Sequence, residues 1–399
     1  MQIIISKVEQ AFFALLRASL WEKEVRLAPY GEIDFSAVLD LAEEQSVVGL
    51  LAAGIEHVVD GKPQKKDVLQ FIGRTVQLEQ RNQAMNYFIG VIVEKMREAG
   101  IYTVLVKGQG VAQCYERPLW RACGDVDFFL DDENYERAKG FLKPLAASVE
   151  EEYVREKHLG MTIDPWVVEL HGRLYSGLSA RIERELDAVQ RETFEDGKVR
   201  IWKDGETGVP LLAVENDVFY VFTHILQHFY KGGIGLRQIC DWCRLLYTYR
   251  ESLDYGLLES RIRRAGLMTA WKAFYALASK YLGLPDLGSG LTDVESATPR
   301  HSSSKLGSAH GSTADFMIHD ERFDKKADRI MEFVLMSGNF GHNRDHSYFE
   351  KYPYLVRKCV SFGRRVGDLA RHARIFPIDS LRFFPRIMWN GIRSAIMGE

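Results

Sequence analysis

The chain has 399 residues, of which 46% are hydrophobic and 27% are charged, and its formal net charge is −3. This composition is typical of a globular protein with a sizeable core, and it excludes a fibrous or wholly disordered chain. The balanced charge produces no overall field that would attract nucleic acid or a membrane surface, and the length suggests about two or three domains.

The cysteine content and the N-terminus indicate the compartment. Five cysteines, an odd number, argue against a disulfide framework and favour a reducing environment. The first residues, MQIIISKVEQAFFALL, lack a basic region ahead of an apolar stretch, so we expect no signal peptide. No apolar run approaches the ~20 residues of a membrane span. We therefore expect a cytoplasmic protein, from a microbe.

Helical periodicity dominates residues 1–99. Apolar residues recur every three or four positions in AFFALLRASLW, FSAVLDLAEEQSVVGLLAAGIEHV and VLQFIGRTVQLEQRNQAMNYFIGVIVEKMREAG. Gly100 suits the C-terminal cap of the last of these helices. The pattern predicts an N-terminal helical domain over residues 1–99.

The pattern changes in residues 100–206, where short apolar strands alternate with helices. The predicted strands are YTVLV, GDVDFFL, HLGMTI and WVVELHGRL, and the predicted helices are GQGVAQCYE and ENYERAKGFLKPL. Asp164-Pro165 suits the turn between the last two strands, which we expect to form a hairpin. These elements predict an α+β core in which a small mixed sheet carries its helices on one face.

Helical periodicity returns from about residue 207. We predict a helical bundle at 207–284, a flexible linker or long loop rich in Ser, Gly and Thr at 285–314, and a C-terminal helical region at 315–399. Basic residues outnumber acidic ones after Leu355. This basic tail either touches an anionic surface, or packs on the protein or forms an oligomer, and the prolines at 377 and 385 favour the latter two.

Two carboxylates interrupt the apolar strand GDVDFFL. Asp125 and Asp127 lie two residues apart, so they share one face of the strand. Adjacent anions repel each other and are costly to desolvate, and a divalent cation is the usual reason to keep them together. The alternative is a strand edge with two solvated acids, which the apolar flanking residues disfavour.

A third carboxylate lies in VVELHGRL. Glu169 and His171 share one face by the same alternation, and this strand would lie beside the first. Three clustered carboxylates suit Mg²⁺ or Mn²⁺. A salt-bridged strand pair is the alternative, because the pairing register decides whether Glu169 reaches the aspartates.

A possible phosphate site precedes the first carboxylate. Lys107-Gly108 and Gly110 lie at a predicted strand-to-helix turn, which offers backbone N–H groups and a lysine charge to phosphate. A plain turn with a solvated lysine is the alternative. A phosphate site beside a carboxylate metal site is what phosphoryl or nucleotidyl transfer requires.

The order of these motifs resembles the DNA polymerase β-type nucleotidyltransferase superfamily. More narrowly, KGQGVAQCY, RPLWRACGDVDFFL and VVELHGRL resemble the bacterial "uncharacterised nucleotidyltransferase" family, whose members read KG, then R-x-x-GDhDhhh, then hDhH or hEhH. HILQHFYKGGIGLRQICDWCRLL also looks like that family's downstream helices. The resemblance covers residues 10–285 and implies a small mixed-sheet nucleotidyltransferase core flanked by N- and C-terminal helical domains.

The resemblance implies roles for the matching positions. The catalytic and metal-binding set would be Asp125, Asp127 and Glu169, and the nucleotide-binding set would be Lys107, Gly108, Gln109 and Arg121. Glu169 would also aid deprotonation of the acceptor hydroxyl. Two departures stand out. Lys107-Gly108 replaces the Gly-Ser or Gly-Gly of the wider superfamily, which alters the grip on the triphosphate. Glu169 replaces the more frequent Asp, which lengthens its reach but keeps the chemistry.

Several other polar residues belong either to a substrate cleft or to the packed interior. His171, His228 and Arg237 are candidates for a substrate cleft, although helical histidines such as His224 and His228 are more often packing residues. Cys240 and Cys243 form a CxxC pair without the second ligand pair that a zinc site needs, so we expect them in the core.

These features together predict a Mg²⁺-dependent nucleotidyltransferase. It would move a nucleoside monophosphate from an NTP, such as ATP, to a hydroxyl of a small molecule, sugar or protein and release pyrophosphate. The alternatives are a catalytically silent nucleotide-binding or scaffold protein with the same fold, and transfer of the γ-phosphate. No basic groove interleaved with aromatic residues crosses the core, so we expect no nucleic-acid acceptor. The sequence leaves the acceptor, the base and the oligomeric state open.

Overall fold

The computed structural model describes residues 6–205, 207–287, 315–339 and 354–397. Within these ranges helices surround a mixed β-sheet, which confirms the predicted α+β class. The predicted linker at 285–314 lies outside the described residues from 288 onward.

Four helices precede the sheet: α1 (Lys7–Trp21), α2 (Phe35–Glu44), α3 (Val48–Glu56) and α4 (Lys65–Glu98). The helical stretch predicted across residues 35–58 is divided, because Ser46 adopts a left-handed conformation with φ of 56°. A parallel pair of short strands, β1 (Val25–Arg26) and β2 (Val58–Asp60), also interrupts this helical region. Gly100, with φ of 69°, follows the end of α4 as predicted.

Helices α1 and α3 approach each other closely at Gly54. A β-carbon added to Gly54 would lie 2.1 Å from the carbonyl oxygen of Leu15. That oxygen belongs to the backbone of α1, so it cannot rotate away as a flexible side chain would. The contact therefore requires glycine at this position.

We expect Gly54→Ala to lower the free energy of unfolding by about 1–3 kcal/mol, because α3 has to move away from α1. Gly73→Ala on α4 is the matched control. Within the described part of the chain no heavy atom outside its own helix lies within 4 Å of the added β-carbon, so higher helix propensity should stabilise the protein by about 0.5–1 kcal/mol. Urea unfolding followed by circular dichroism measures both values. Equal effects of the two substitutions would contradict this packing.

The central sheet of the described residues has the strand order β5-β6-β7-β4-β3-β9-β8. Its strands are β3 (Val104–Val106), β4 (Asp125–Phe129), β5 (Ser148–Val149), β6 (His158–Ile163), β7 (Trp166–His171), β8 (Val199–Asp204) and β9 (Thr207–Leu212). Strand β4 lies in the interior of the sheet, antiparallel to β3 and parallel to β7. The predicted hairpin is confirmed as β6–β7.

Three helices accompany the sheet: α5 (Gly108–Ala112), α6 (Asp132–Leu142) and α7 (Ala180–Phe194). Helix α5 is shorter than the predicted GQGVAQCYE helix. Helix α7 and strand β8 were not predicted, and β9 begins at residue 207, so the predicted boundary between 206 and 207 falls inside the β8–β9 hairpin. Among the described strands β8 pairs with β9 alone, at the sheet edge, and its sequence VRIWKD mixes polar and apolar residues.

The remaining helices are α8 (Val214–Lys231), α9 (Leu236–Thr248), α10 (Tyr255–Ala265), α11 (Met268–Leu277), α12 (Asp324–Ser337), α13 (Tyr354–Ile375) and α14 (Pro377–Met397). They share a hydrophobic core with α1–α3, so the first and last helical regions pack together. The Trp21 indole donates a hydrogen bond to the Leu282 carbonyl at 2.5 Å. Cys240 and Cys243 are fully buried in this core, as predicted.

The two faces of the sheet differ in polarity. Val126, Phe128, Val168 and Leu170 pack in a second apolar cluster with α4 and α6. Because side chains alternate, the residues between them on β4 and β7 point to the opposite face. No helix of the described residues is both long and apolar enough to cross a membrane.

Candidate active site

Three adjacent strands place a polar row on the face opposite α4 and α6. Asp127 of β4 pairs with Glu169 of β7, and His171 of β7 pairs with His158 of β6. Asp125 and Asp127 share this face because they lie two residues apart. The register therefore brings the predicted third carboxylate beside the first two.

The carboxylates of Asp125, Asp127 and Glu169 form a compact cluster. One oxygen from each lies within 4.8 Å of the other two. Asp127 is 2% exposed, whereas Asp125 is partly exposed. The negative charge of Asp127, followed by burial, raises the pKa of Asp125. This excess of negative charge and the oxygen-only donor set fit a hard divalent cation such as Mg²⁺ or Mn²⁺.

Lys107 lies against the carboxylates. Its φ is 58°, and its Nζ atom is 2.7 Å from Oδ1 of Asp127 and 5.9 Å from the ring centre of Tyr220. Burial alone would lower the pKa of Lys107, but the negative charge of Asp127, together with the smaller contributions of Tyr220, Glu169 and Asp125, outweighs it and the pKa is raised. The ammonium therefore stays protonated and partly neutralises the cluster. Its predicted contact with the triphosphate stays a prediction.

Two histidines hold the carboxylates in place. The Nε2 atom of His171 lies 2.7 Å from Oδ1 of Asp127, and the Nε2 atom of His158 lies 3.1 Å from Oε2 of Glu169. Burial lowers the pKa of His171, but its hydrogen bonds to Asp127 and Glu169 outweigh this and raise it. Burial would raise the pKa of Glu169, yet the hydrogen bonds from His158 and His171 keep it well below its usual value.

A cleft with about 460 Å³ of empty space, including open solvent, separates the carboxylates from α8 and α9. Its polar lining comes from both sides and comprises Lys107, Arg121, Asp125, Asp127, His224, Arg237, Gln238 and Asp241. Gly108 also lines the cleft, at the turn before α5. The cleft thus joins a carboxylate cluster to several cationic side chains.

Arg121 is a buried cation at the wall of this cleft. Its Nε and Nη2 atoms lie 3.0 and 2.6 Å from the two oxygens of Asp241 on α9, and Tyr115 donates a hydrogen bond to the same carboxylate. The Nη1 atom of Arg121 is buried and has no hydrogen-bond partner among the described residues. Asp241 therefore holds the Arg121 guanidinium in place, and the predicted contact of Arg121 with a nucleotide stays a prediction.

The predicted site residues are only partly assembled here. Arg237 lines the cleft, but His171 contacts Asp127 and His228 packs edge-to-face with His224 at 4.4 Å between ring centres. The side chain of Gln109 is buried against α4, where it donates a hydrogen bond to Asn82. Roles for His228 and Gln109 in ligand binding stay predictions.

Three relevant residues were missed. His158 was predicted only as part of a strand, and Asp241 and Gln238 only as part of a helix. Arg237 and Asp241 are four residues apart and share a helix face, which was an available signal of a polar surface on α9. The pairing of His158 with His171 follows from the hairpin register, and the predicted two-residue turn Asp164-Pro165 was an available signal of that register.

His228 should make the free energy of unfolding decrease at acid pH. Burial, followed by the charge of Lys107, lowers its pKa to about 4. The unfolded chain binds this proton near pH 6.5 and the folded chain does not, so stability is full above pH 6.5 and falls towards pH 4. Urea unfolding at pH 7 and pH 4.5 measures how much stability the protein loses between these pH values. We expect His228→Gln to reduce this loss of stability by about 1–3 kcal/mol. An unchanged difference between the two pH values would contradict this assignment.

A model of a known protein family matches most of the chain. The family model described as "Uncharacterised nucleotidyltransferase" matches residues 31–283, well over half of the chain. The chain belongs to this family. The matched range of this nucleotidyltransferase-family chain includes the three carboxylates and the residues that line the cleft.

Two further comparisons, with solved structures and with curated proteins, give no informative relative. One solved structure, an antigenic nucleotidyltransferase-like protein from Paracoccidioides brasiliensis, is 14% identical and covers 50% of this chain and 92% of its own, with a TM-score of 0.30. That score is too low to carry an argument about this chain. A search of curated proteins gives no significant match.

Proposed function

We propose that this protein transfers a nucleoside monophosphate from an NTP to a hydroxyl group of an acceptor and releases pyrophosphate. The observation that carries the proposal is the cluster of Asp125, Asp127 and Glu169, which lies beside a cleft with cationic walls. Family membership supports the same reaction class.

Asp125, Asp127 and Glu169 would hold a divalent cation. When bound, such an ion polarises the phosphoryl oxygens and neutralises the charge that develops during transfer. Asp127 is oriented for this task by Lys107 and His171, which both contact its Oδ1 atom. Positioned ligands are effective because they need no rearrangement during the reaction.

Side chains should provide most of the grip on the triphosphate. Helix α5 has only five residues, which is too short for a strong N-terminal dipole. Arg121 offers its unpartnered Nη1 atom at the cleft wall, and Arg237 and Lys107 contribute two more cations. Charge-assisted hydrogen bonds from guanidinium groups are well suited to phosphate oxygens.

Glu169 acts in this proposal as a ligand and orienting group, not as a general base. A general base is most effective when its pKa lies near the working pH. The hydrogen bonds from His158 and His171 hold the pKa of Glu169 far below that range, despite its burial. Deprotonation of the acceptor hydroxyl would therefore rely on a group of the acceptor, the bound ion or solvent.

Product analysis tests the proposal. The protein is incubated with each of the four NTPs and Mg²⁺, with sugars, aminoglycosides or hydroxyl-bearing peptides as acceptors. Pyrophosphate with a nucleotide-labelled acceptor is the expected result. A nucleoside diphosphate would indicate transfer of the γ-phosphate, and nucleotide binding without any product would indicate a silent scaffold. Either result would overturn the proposal.

A further inference from the structure

A second group of ligating atoms lies beside the three carboxylates. His158 and His171 are opposed across the β6–β7 hairpin, and Glu169 lies two residues before His171 on the same face. Their ligating atoms lie within 4.8 Å of one another, and all three side chains are partly buried. Two imidazoles and one carboxylate form a nitrogen-rich set, in contrast to the oxygen-only set of Asp125, Asp127 and Glu169.

The spacing within this group suits a small transition-metal ion. The Oε2 atom of Glu169 lies 3.1 Å from Nε2 of His158 and 3.5 Å from Nε2 of His171. Zn²⁺ bonds to nitrogen and oxygen at ~2.0–2.1 Å, so two of its ligands in a tetrahedral arrangement are about 3.3 Å apart. The two observed distances lie on either side of this value.

The strand next to Glu169 leaves room for a further ligand. Gly160 of β6 pairs with Glu169, and a β-carbon added to Gly160 would lie 2.5 Å from Oε2 of Glu150. The carboxylate of Glu150 thus occupies the space that a side chain at residue 160 would fill. A further carboxylate oxygen therefore lies next to Gly160, the residue that pairs with Glu169, but outside the group of three ligating atoms.

We propose that His158, His171 and Glu169 bind a transition-metal ion, with Zn²⁺ as the ion that fits best. Imidazole nitrogen favours Zn²⁺, Co²⁺ and Ni²⁺, whereas sites built only of carboxylates favour Mg²⁺ and Mn²⁺. Glu169 belongs to both sets, which couples the occupancy of the two sites. The proposal concerns metal binding without nucleotide, so it stands independently of the transfer reaction.

A hydrogen-bond network would use the same contacts, so the test must separate the two roles. His158→Gln makes this separation, because its amide can still donate to Glu169 but its nitrogen is not a zinc ligand. His228→Gln is the matched control for a histidine outside the group. It also tests the competing location on α8, where His224 and His228 lie one helical turn apart.

Calorimetric titration of the metal-free full chain with Zn²⁺ measures the affinity, and visible absorption of the Co²⁺ form reports the ligand geometry. Removing a residue that only hydrogen-bonds to a metal ligand lowers metal affinity by about 10- to 100-fold. His158 would be a direct ligand, so we expect His158→Gln to weaken Zn²⁺ binding by at least about 100-fold. His228→Gln should bind Zn²⁺ as the wild type does. Circular dichroism checks that each variant is folded.

Several results would overturn the proposal. The proposal fails if the wild-type protein does not bind Zn²⁺, if folded His158→Gln binds Zn²⁺ with unchanged affinity, or if His228→Gln loses Zn²⁺ binding. Imidazole resonances of the wild type provide a readout that does not depend on the stability of a variant: Zn²⁺ should shift those of His158 and His171 but not that of His228. Intact Zn²⁺ binding without nucleotidyl transfer would count against the proposed function alone.

Discussion

Replacing Asp125 with Asn is expected to lower the rate of nucleotidyl transfer by at least about 10²- to 10³-fold without loss of stability. The substitution removes one of the three clustered carboxylates and thus a few kcal/mol of transition-state stabilisation. The charge of Asp127 raises the pKa of Asp125, so the ionised form carries an energetic cost in the folded protein. The neutral amide should leave the thermal midpoint unchanged or higher.

Pyrophosphate release and scanning calorimetry measure the two effects. Asp132→Asn is a matched control, because this acid lies on α6 with a side chain that is 73% exposed, and both measurements should stay at wild-type values. Asp127→Asn is less informative, since it would leave the buried Lys107 ammonium without its partner. Full activity of folded Asp125→Asn would place the chemistry elsewhere in the protein.

The ion pair between Arg121 and Asp241 should be costly to break from one side. Both side chains are almost completely buried, and the guanidinium contacts both carboxylate oxygens. Asp241→Ala leaves the Arg121 charge in the interior without compensation and removes the acceptor of Tyr115. We expect the free energy of unfolding to fall by about 3–5 kcal/mol in urea denaturation.

The double variant Arg121→Met/Asp241→Leu separates structure from ligand binding. It removes both charges and keeps apolar volume, so most of the lost stability should return. The double variant should nevertheless bind nucleotide more weakly than the wild type, because it lacks the Nη1 atom of Arg121 that is proposed to donate a hydrogen bond to a phosphate. A stable double variant that binds NTP as tightly as the wild type would limit Arg121 to a structural role.

Local sequence patterns account for the predicted part of the site. The strand GDVDFFL was recognisable from its apolar residues, and strand alternation is a local property, so the shared face of Asp125 and Asp127 followed. The proximity of Glu169 depended on register, and the observed pairing with Asp127 agrees with the prediction. The roles of the three carboxylates stay predictions that the substitutions above test.

Contacts between distant segments account for what the sequence did not reveal. Arg121 and Asp241 are 120 residues apart, and the packing of α9 near α5 brings them together. Lys107 follows β3, whose Val106 pairs with Asp127, and its φ of 58° breaks the strand alternation, so no strand pattern revealed its ion pair with Asp127. Tertiary contacts of this kind also direct Gln109 towards α4, away from the cleft for which the sequence predicted it.

The most direct test of the account is thermal unfolding of wild type and Asp125→Asn with ATP, GTP, CTP and UTP, each with and without Mg²⁺. A ligand at 100 times its Kd stabilises the folded state by about 2.7 kcal/mol. The account predicts that at least one NTP raises the wild-type midpoint only with Mg²⁺ and that Asp125→Asn loses this rise. No rise with any NTP, or an equal rise in the variant or without Mg²⁺, would contradict a metal-dependent nucleotide site at these carboxylates.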